Sequence, residues 1–353
     1  MIKTIKLFLY NLIFFLIAII IIELIFGYWF DKNNFGPYMR EHRMKKVEYS
    51  LQYEGQTFNH TYKRNYYGFR GEDINPKNIN AIIVGGSTTN ERYKPEKQTI
   101  TEFLNKKISQ KNINLKIINA GIEGQTTLGH IFNFKVWFPK LKEFEPKYII
   151  FYIGINDSLT PVEKLKDSKL NDGHIVNPSF KEEIGDNIKS RSIFYDLLRK
   201  TKHKYYTSDK PKVIYDFDHS AEQFLKDKKY RFLNYKDALK LYDIDKLIKQ
   251  NKEKINYYLN NVDILYDEAI KLESTPIFIN QLKHDGHYNK SLFSLNYALI
   301  EHCKKRNYKC VDLASKLQGE KKYWWDGTHT TAKGSEIIAK LIFPELYNFI
   351  KQK

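Results

Sequence analysis

Cysteine is scarce in this sequence, which has two cysteines, Cys303 and Cys310, among 353 residues. Two cysteines cannot form the disulfide framework that holds small secreted domains together. Neither lies in a Cys-x-x-Cys pair or in a Cys and His group with metal-ligand spacing, so we predict no metal site. We expect two small core residues, one near the end of a helix and one in the strand after it; a single disulfide outside the cytoplasm is the alternative.

Acidic residues are also outnumbered, since 41 aspartates and glutamates face 58 lysines and arginines, which leaves a formal net charge of +17. The excess is mostly lysine spread along the chain, and no RNA- or DNA-binding motif accompanies it, so we predict no nucleic-acid partner. Biased codon usage explains a composition rich in lysine, asparagine and isoleucine. Attraction to anionic lipid headgroups or acidic glycans is the alternative explanation.

Long hydrophobic runs are limited to one, from Leu7 to Phe30, with the uninterrupted stretch Leu12 to Ile22 at its centre. That length spans a bilayer, and no small-residue cleavage site follows, so we predict an uncleaved signal anchor in residues 1–30. Residues suited to the membrane interface lie near its ends: Asn11, Glu23, Tyr28 and Trp29.

The orientation of this anchor is not decided by the flanking charges, because basic residues stand on both sides. They are Lys3 and Lys6 before the run, and Lys32, Arg40, Arg43, Lys45 and Lys46 after it. Large domains translocate largely regardless of charge, so we predict a cytoplasmic N-terminus, with the remaining domain outside the membrane.

Beyond the anchor, 42% hydrophobic residues can fill a real core. Residues 31–80 show little periodicity and are interpreted as a stalk and domain edge, followed by a domain at 81–353. Short β-branched runs predict strands at 81–84, 115–119, 148–153, 275–280 and 309–313. Helical patterns lie at 99–110, 131–142, 244–272, 291–305 and 331–350. This alternation predicts a three-layer α/β/α fold with a mostly parallel, five-stranded sheet.

The third and fourth predicted strands are separated by more residues than one crossover helix needs. Residues 161–240 in this interval are charged and tyrosine-rich, with short apolar patches such as Ser192 to Leu198. We predict a helical insertion or lid at about 161–240.

Chemically unusual residues follow the ends of the predicted strands, where ligands bind in an open parallel sheet. The four groups are Gly85–Thr89 (GGSTT), Asn119–Thr126 (NAGIEGQT), Gly154–Asp157 (GIND) and Asp326–His329 (DGTH). Ser87 is the candidate nucleophile because it stands where a strand turns into a helix. His329 is the candidate base. Asp326, three residues earlier, can hold the imidazole of His329 in the required tautomer and stabilise its protonated form.

These groups, in this order and at these separations, resemble blocks I, II, III and V of the SGNH (GDSL-like) hydrolases, a family of serine esterases and acyl-transfer enzymes. Tyr67–Gly71 (YGFRG) also resembles a sequence found before block I in some extracytoplasmic members. The resemblance covers roughly residues 66–350 apart from the insertion. It implies a flavodoxin-like sheet, and no cofactor, because side chains carry the chemistry. Gly86 and Thr88 depart from the family's Gly-Asp-Ser-Leu block, which leaves the substrate class open.

The resemblance also assigns the donors of an oxyanion hole: the backbone N–H groups of Ser87 and Gly124, and the side-chain amide of Asn156. Four further residues lie near the same edge. We interpret Asp157 as a turn or cap residue. Histidines 284 and 287 are expected to be solvated, and Gln281 has a slightly better claim to touch substrate because it ends the fourth strand.

The function expected is hydrolysis or transfer of ester-linked acyl groups, with O-acetyl or other O-acyl groups of an extracytoplasmic glycan or glycolipid as substrate. The sequence does not separate hydrolysis from transfer. A lysophospholipase or thioesterase acting on lipids is the runner-up, and a non-catalytic envelope scaffold is the alternative from another class. The oligomeric state is left open.

Overall fold

The structure is a computed structural model that describes residues 2–30, 35–40, 42–163, 170–171, 174–175, 180–205, 213–217 and 230–351. In chain order its helices and strands are α1 (Ile2–Phe26), α2 (Gly36–Arg40), β1 (Lys45–Tyr53), β2 (Gln56–Arg64), β3 (Ala81–Gly85), α3 (Ser87–Asn90), α4 (Ile100–Ser109), β4 (Ile117–Asn119), α5 (Thr127–Val136), β5 (Tyr148–Ile153), α6 (Ile155–Leu159), β6 (Leu170–Asn171), β7 (His174–Ile175), α7 (Phe180–Arg191), α8 (Ile193–Tyr205), β8 (Val213–Asp216), α9 (Tyr235–Leu241), α10 (Ile244–Gln250), α11 (Lys252–Lys271), β9 (Thr275–Asn280), α12 (Lys290–Arg306), β10 (Lys309–Val311), α13 (Leu313–Lys316) and α14 (Ala332–Lys351). Short 3₁₀ turns lie at Pro76–Asn78, Glu96–Gln98, Phe138–Lys140 and Lys321–Tyr323.

The central sheet has five parallel strands in the order β10-β9-β5-β3-β4. Its first strand in the chain, β3, lies between β4 and β5, so the winding direction reverses beside β3, as in flavodoxin-like sheets. All five strands overlap the predicted runs. The predicted three-layer fold with a parallel, five-stranded sheet is therefore confirmed.

Both faces of this sheet are covered by helices, which explains the continuous apolar strands. In β3, Ile82 and Val84 point into a core that includes residues of α5, α11 and α12. Ala81 and Ile83 point into the opposite core, with residues of α4 and α14. Side chains that alternate in this way bury the strand completely, so its sequence shows no polar face.

Helix boundaries differ from the sequence expectation at two places. The pattern at 244–272 is two helices, α10 and α11, because Asn251 leaves the helical conformation and its side chain donates to the Leu247 carbonyl at 3.0 Å. The helix expected at 131–142 is α5, which begins at Thr127 and ends at Val136. The remaining predicted helices lie within a residue or two of their expected positions.

Residues 45–64, which were interpreted as part of an irregular stalk, form an antiparallel β-hairpin. Its two turn residues, Glu54 and Gly55, both have positive φ (50° and 71°), as the tight turns of hairpins require. The buried positions of β2 include His60 and Arg64, so the face that packs inward is not apolar in sequence. This is why the alternation was missed.

The described residues of the predicted helical insertion at 161–240 are mostly helical, with short strands that the sequence did not predict. Alongside α7 and α8 it contains the two-residue strands β6 and β7, and β8. Strand β8 pairs in parallel with β1, which makes a second, three-stranded sheet in the order β2-β1-β8. Residues 164–169, 172–173, 176–179, 206–212 and 218–229 lie outside the described residues.

Cys303 and Cys310 form a disulfide, contrary to our expectation of two unbridged core residues. Their predicted positions are correct: Cys303 is in the last turns of α12 and Cys310 is in β10. The αL residue Asn307 ends the helix between them and turns the chain back into the sheet, which brings the two cysteines together.

Removal of this bridge is expected to destabilise the domain. A cross-link that closes so short a loop is worth roughly 2.5 kcal/mol of unfolding free energy in the chain-entropy model. We expect the double variant Cys303→Ala/Cys310→Ala to lose that amount of unfolding free energy and so to unfold at a lower denaturant concentration. Denaturant unfolding monitored by circular dichroism measures the loss. A reducing agent should lower the stability of the parent chain and leave the double variant unchanged; an unchanged parent would contradict the prediction.

Candidate active site

Ser87 is the first residue of α3, directly after the central strand β3. Two glycines precede it, and neither tolerates a side chain. A Cβ on Gly85 would overlap the hydroxyl of Thr89, and a Cβ on Gly86 would overlap the side-chain amide of Asn156. The sharp turn therefore requires glycine at both positions, and it places Ser87 at the carboxyl edge of the sheet.

His329 joins Ser87 to Asp326 in one hydrogen-bonded line. The Nε2 atom of His329 lies 2.8 Å from Ser87 Oγ, and Nδ1 lies 2.6 Å from Asp326 Oδ2. The other carboxylate oxygen of Asp326 accepts the backbone N–H groups of Thr328 (2.7 Å) and His329 (2.6 Å). With Nδ1–H donated to Asp326, Nε2 is left to accept the hydroxyl proton of Ser87.

Burial and the neighbouring carboxylate act on His329 in opposite directions. Burial lowers the pKa of the imidazole, but the hydrogen bond and the negative charge of Asp326 outweigh it, and the pKa lies above the ordinary 6.5. For Asp326, burial raises the pKa of the carboxyl, yet the bonds from His329 hold it below the ordinary 3.8. The imidazolium form is therefore stabilised by an ionised partner.

The titration of His329 gives a direct test of this coupling. By NMR of the imidazole ring, we expect a pKa above 6.5 in the parent chain. In Asp326→Asn the burial penalty on the imidazole outweighs the smaller raising effect of Glu123, so the pKa of His329 should fall below 6.5. Asp285→Asn, a matched change beside His284, should leave the titration of His329 where it was. An unchanged pKa in Asp326→Asn would contradict the assignment.

Asn156 lies against the turn that carries Ser87. Its side-chain amide packs on Gly86 and donates to the Gln125 carbonyl at 2.8 Å. Gly154, two residues earlier, has a φ of +126°, which favours glycine at the turn into α6. Gly124, next to Gln125, is exposed and has a φ of +75° with open space beside it. The structure thus brings the Asn156 amide to Ser87, and the roles of both oxyanion donors stay predictions.

Asp157 is a capping residue, as expected. Its carboxylate accepts the backbone N–H of Thr127 at 3.0 Å and the hydroxyl of the same residue at 2.6 Å. Burial raises the pKa of this carboxyl to about 6, against the lowering effect of those hydrogen bonds. Asp157 therefore ties the loop after β5 to the first turn of α5.

The two loop histidines are buried, so the expectation that they are solvated is wrong. His284 bonds the Gly327 carbonyl at 2.9 Å through Nδ1, and His287 bonds the Ala314 carbonyl at 3.0 Å through Nε2. Burial lowers the pKa of both rings. Since Gly327 follows Asp326, His284 supports the turn between Asp326 and His329.

Gln281 is also buried and connects two of the loops. Its amide nitrogen donates to Thr88 Oγ1 at 2.8 Å, and its amide oxygen accepts the backbone N–H of Ile155 at 2.9 Å. These bonds fix the residues that flank Ser87 and Asn156. Gln281 is therefore a positioning residue. Its amide is bonded to Thr88 and Ile155, whereas the sequence suggested a contact with substrate.

A buried ion pair that the sequence analysis missed joins the Ser87 segment to the His329 segment. Lys94 Nζ lies 2.8 Å from Glu91 Oε1, and both side chains are 2% exposed. The same ammonium donates to Thr330 Oγ1 (3.0 Å) and Ser335 Oγ (2.5 Å), which follow His329 in the chain. No periodic signal marks a buried lysine, so this contact could not be found from the sequence.

Two arginines hold the loop after Ser87 from the other side. Arg64 donates to Asn90 Oδ1 at 3.2 Å and to the Gly121 carbonyl at 2.6 Å. Arg70, within the YGFRG segment, donates to the backbone carbonyls of Asn90 and Lys94. That segment therefore acts on the candidate site by fixing the backbone that follows the nucleophile.

We expect that removing one partner of the Lys94–Glu91 pair lowers the free energy of unfolding strongly, and that replacing both partners with uncharged residues lowers it little. Lys94→Met leaves the Glu91 charge buried without its partner, which should cost about 3–5 kcal/mol of unfolding free energy. Glu91→Gln/Lys94→Met should recover most of that loss. As a control, Lys333→Met breaks an exposed pair with Glu336 and should change stability by about 1 kcal/mol or less. Denaturant unfolding checks all three, and equal losses in single and double variants would refute the interpretation.

Aromatic residues wall the narrow cleft beside the hydrogen-bonded line. The rings of Tyr93 and His329 meet edge to face, with centroids 5.2 Å apart. Tyr93 packs on Tyr215 of β8, and Phe217 stacks on Trp325 with centroids 5.6 Å apart. The hairpin and the insertion therefore pack behind Tyr93 and Trp325, two of the residues that line the cleft. Its lining residues are Ser87, Thr88, Glu91, Tyr93, Lys94, Trp325, His329 and Thr330.

Charged groups stand beside this wall. Arg92 Nε lies 3.4 Å from Glu123 Oε2, and both side chains are about one-third exposed, at 30% and 32%. Arg92 also donates to the hydroxyls of Tyr93 (2.7 Å) and Tyr215 (3.1 Å). Among the described residues, no group of three or more His, Cys, Asp or Glu side chains could hold a metal ion.

No protein-family model matches the sequence, and no curated protein matches it. The structure is similar to that of a G-D-S-L family lipolytic protein from Desulfitobacterium hafniense DCB-2 (TM-score 0.40, 10% identity, 75% of this chain and 99% of that chain). It is similar to an acetylxylan esterase from Geobacillus stearothermophilus (TM-score 0.41, 14%, 75% and 93%). A G-D-S-L family protein from Veillonella parvula DSM 2008 is similar too (TM-score 0.41, 12%, 77% and 98%).

Proposed function

We propose that this chain is a serine esterase of the SGNH type, with Ser87, His329 and Asp326 as its catalytic triad. The observation that carries the proposal is the hydrogen-bonded line from Ser87 Oγ through the imidazole to the Asp326 carboxylate, with spacings of 2.8 and 2.6 Å. A serine hydroxyl is a weak nucleophile at neutral pH, and this arrangement supplies the base it needs. The assembled line also speaks against a non-catalytic scaffold.

The reaction proceeds in two halves. Ser87 Oγ attacks the ester carbonyl while His329 Nε2 takes the hydroxyl proton, and the ester C–O bond then breaks as His329 returns that proton to the departing alkoxide. The product of this half is an acyl group on Ser87. A water molecule, deprotonated by His329, attacks the acyl carbonyl and releases the carboxylic acid and the free serine. Asp326 stays ionised and stabilises the imidazolium in both halves.

Negative charge develops on the carbonyl oxygen when it becomes tetrahedral. The backbone N–H groups of Ser87 and Gly124 and the amide of Asn156 serve as donors in this proposal. The Ser87 N–H lies in the first turn of a helix, where the helix itself offers it no acceptor. The Asn156 amide has one bond to Gln125 and a second N–H to offer.

The substrate class we favour is a short O-acyl group, such as acetyl, on a glycan or glycolipid. The narrow cleft beside Ser87 is lined by both aromatic and polar side chains. Aromatic faces pack on sugar rings, and the partly exposed pair Arg92 and Glu123 offers donors and acceptors for sugar hydroxyls. A lysophospholipase or thioesterase needs a long apolar groove, and the mixed aromatic and polar lining beside Ser87 suits a short acyl group on a sugar better.

The location we propose is outside the cytoplasmic membrane, with α1 as an anchor. Among the described residues, Lys3–Phe26 is the helix long and apolar enough to cross a bilayer, a test that signal sequences also pass. The Cys303–Cys310 disulfide supports an oxidising compartment. In this proposal residues 1–30 are the anchor, 31–80 the stalk and domain edge, and 81–353 the hydrolase domain. The hairpin at 45–64 packs behind the cleft.

Transfer to a sugar hydroxyl uses the same residues, since an acceptor alcohol replaces water in the second half. Product analysis with and without an added acceptor sugar decides between the two outcomes. Free acetate alone, in the presence of acceptor, identifies a hydrolase. A new acetylated sugar identifies a transferase.

The nucleophile is tested with the full-length chain in detergent and a short-chain aryl ester. We expect Ser87→Ala to abolish turnover, and Asn156→Ala to reduce kcat by about 10²–10³ through loss of one oxyanion donor. Ser109→Ala, an exposed serine on α4, is the matched control and should retain full activity. If Ser87→Ala turned over the ester as fast as the parent chain, the proposed role of Ser87 would be wrong.

The substrate class is tested in the same preparation. We expect acetate release from an acetylated oligosaccharide to be faster than fatty-acid release from a lysophospholipid, and both to be lost in Ser87→Ala. Faster release from the lysophospholipid would favour the lipid-directed alternative.

A further inference from the structure

The outer end of α1 is bonded to the insertion. Glu23, one turn before the end of α1, accepts the hydroxyl of Ser192 at 2.5 Å and the backbone N–H of Ile193 at 3.1 Å. Its carboxylate thus caps the first turn of α8. Tyr28 continues the contact: its backbone N–H donates to the Arg191 carbonyl at 2.8 Å, and its hydroxyl donates to Asp196 at 2.9 Å.

These bonds determine the level at which α7 and α8 meet the membrane. Glu23 is three residues before Phe26, the last residue of α1, which is about 4.5 Å along a helix axis. If α1 spans the bilayer, the junction at Ser192 therefore lies at the boundary between acyl chains and headgroups. The headgroup layer on each side is about 5–7 Å thick.

Large apolar side chains are exposed on both helices next to this junction. They are Ile184 (44% exposed), Ile188 (49%), Phe194 (38%), Leu197 (57%) and Leu198 (68%). The last three share one face of α8, because residues three and four apart lie together on a helix. Leu198 is five residues from Ile193, about 7.5 Å along the axis, so these side chains stay near the headgroup layer whichever way α8 runs.

Basic side chains flank the apolar face, as in helices that lie on membranes. Lys189, Arg191, Lys200 and Lys202 are exposed at the same two helices. Asp196, the acidic residue on the same part of α8, is buried and occupied by Tyr28, Arg43 and Lys200. The exposed charge beside Leu197 and Leu198 is therefore positive, which suits anionic headgroups.

We infer that α7 and α8 form a second membrane contact, an interfacial helix pair that inserts Ile184, Ile188, Phe194, Leu197 and Leu198 into the lipid surface. This inference rests on the anchoring role proposed for α1. A single transmembrane helix leaves its domain free to tilt. The bonds from Glu23 and Tyr28 and the apolar face of α8 together hold the hydrolase domain in one orientation on the bilayer. The insertion is therefore a membrane-seating element, and through Tyr215 and Phe217 it also supports the aromatic residues that line the cleft.

The test measures membrane depth in the full-length chain reconstituted into vesicles of zwitterionic and anionic phospholipid. Leu197→Cys and Leu198→Cys carry a nitroxide label, while the native cysteines are occupied by their disulfide. Leu241→Cys on α9 is the matched control, since Leu241 is a leucine of similar exposure (60%) on a helix without bonds to α1. Phe15→Cys, in the middle of α1, reports on the anchor itself.

We expect the ratio of oxygen to aqueous nickel-chelate collisions to be several-fold higher at 197 and 198 than at 241, and highest at 15. Aqueous labels at 197 and 198 with a lipid-embedded label at 15 would overturn the interfacial contact and leave the anchor standing. An aqueous label at 15 would overturn both. Protection at 197 and 198 that disappears on dilution into more lipid would assign the face to a second copy of the chain and overturn the inference. The esterase assay with Ser87→Ala is independent of all these outcomes.

Discussion

The contact between Ser87 Oγ and His329 Nε2, 2.8 Å across a separation of 242 residues, is the interaction on which the proposed chemistry depends. A shift of an ångström would lose it, and neither side chain is long enough to compensate. The chain meets this demand by placing Ser87 directly after β3 and by bonding the turn of Asp326 and His329 to neighbouring loops through His284 and Lys94. The turn that precedes Ser87 is also fixed, because only glycine fits at positions 85 and 86.

Around that contact the structure uses polar groups in places where apolar packing would be the simpler choice. Lys94 and Glu91, Arg64 and Arg70, Gln281 and His284 are all buried, or nearly so, and each bonds backbone or side chains of a loop that carries a site residue. Directional bonds specify loop positions that non-directional packing would leave loose. Their burial is costly unless every partner is present, which makes the arrangement self-consistent and sensitive to single substitutions.

The small sheet of β1, β2 and β8 connects the site to the segment that is bonded to α1. Its aromatic face reaches Tyr93 and Trp325 beside the triad, and β8 follows the two helices that are bonded to the end of α1. The insertion therefore packs against residues that line the cleft and is bonded to α1. If α1 anchors the chain as proposed, this one segment sets the height and direction of the cleft above the bilayer.

Local patterns in the sequence determined the fold class, the five central strands, the long apolar helix α1 and the residues of the candidate triad, because burial period, strand-end glycines and the Asp326–His329 spacing are short-range properties. Tertiary structure alone decided the hairpin at 45–64, the bonding of Cys303 to Cys310, the burial of His284 and Lys94, and the docking of Glu23 on α8. Each of these joins separate elements through polar or sulfur groups. Such pairings follow from which surfaces the folded chain brings together, and they leave no periodic trace in either partner's own segment.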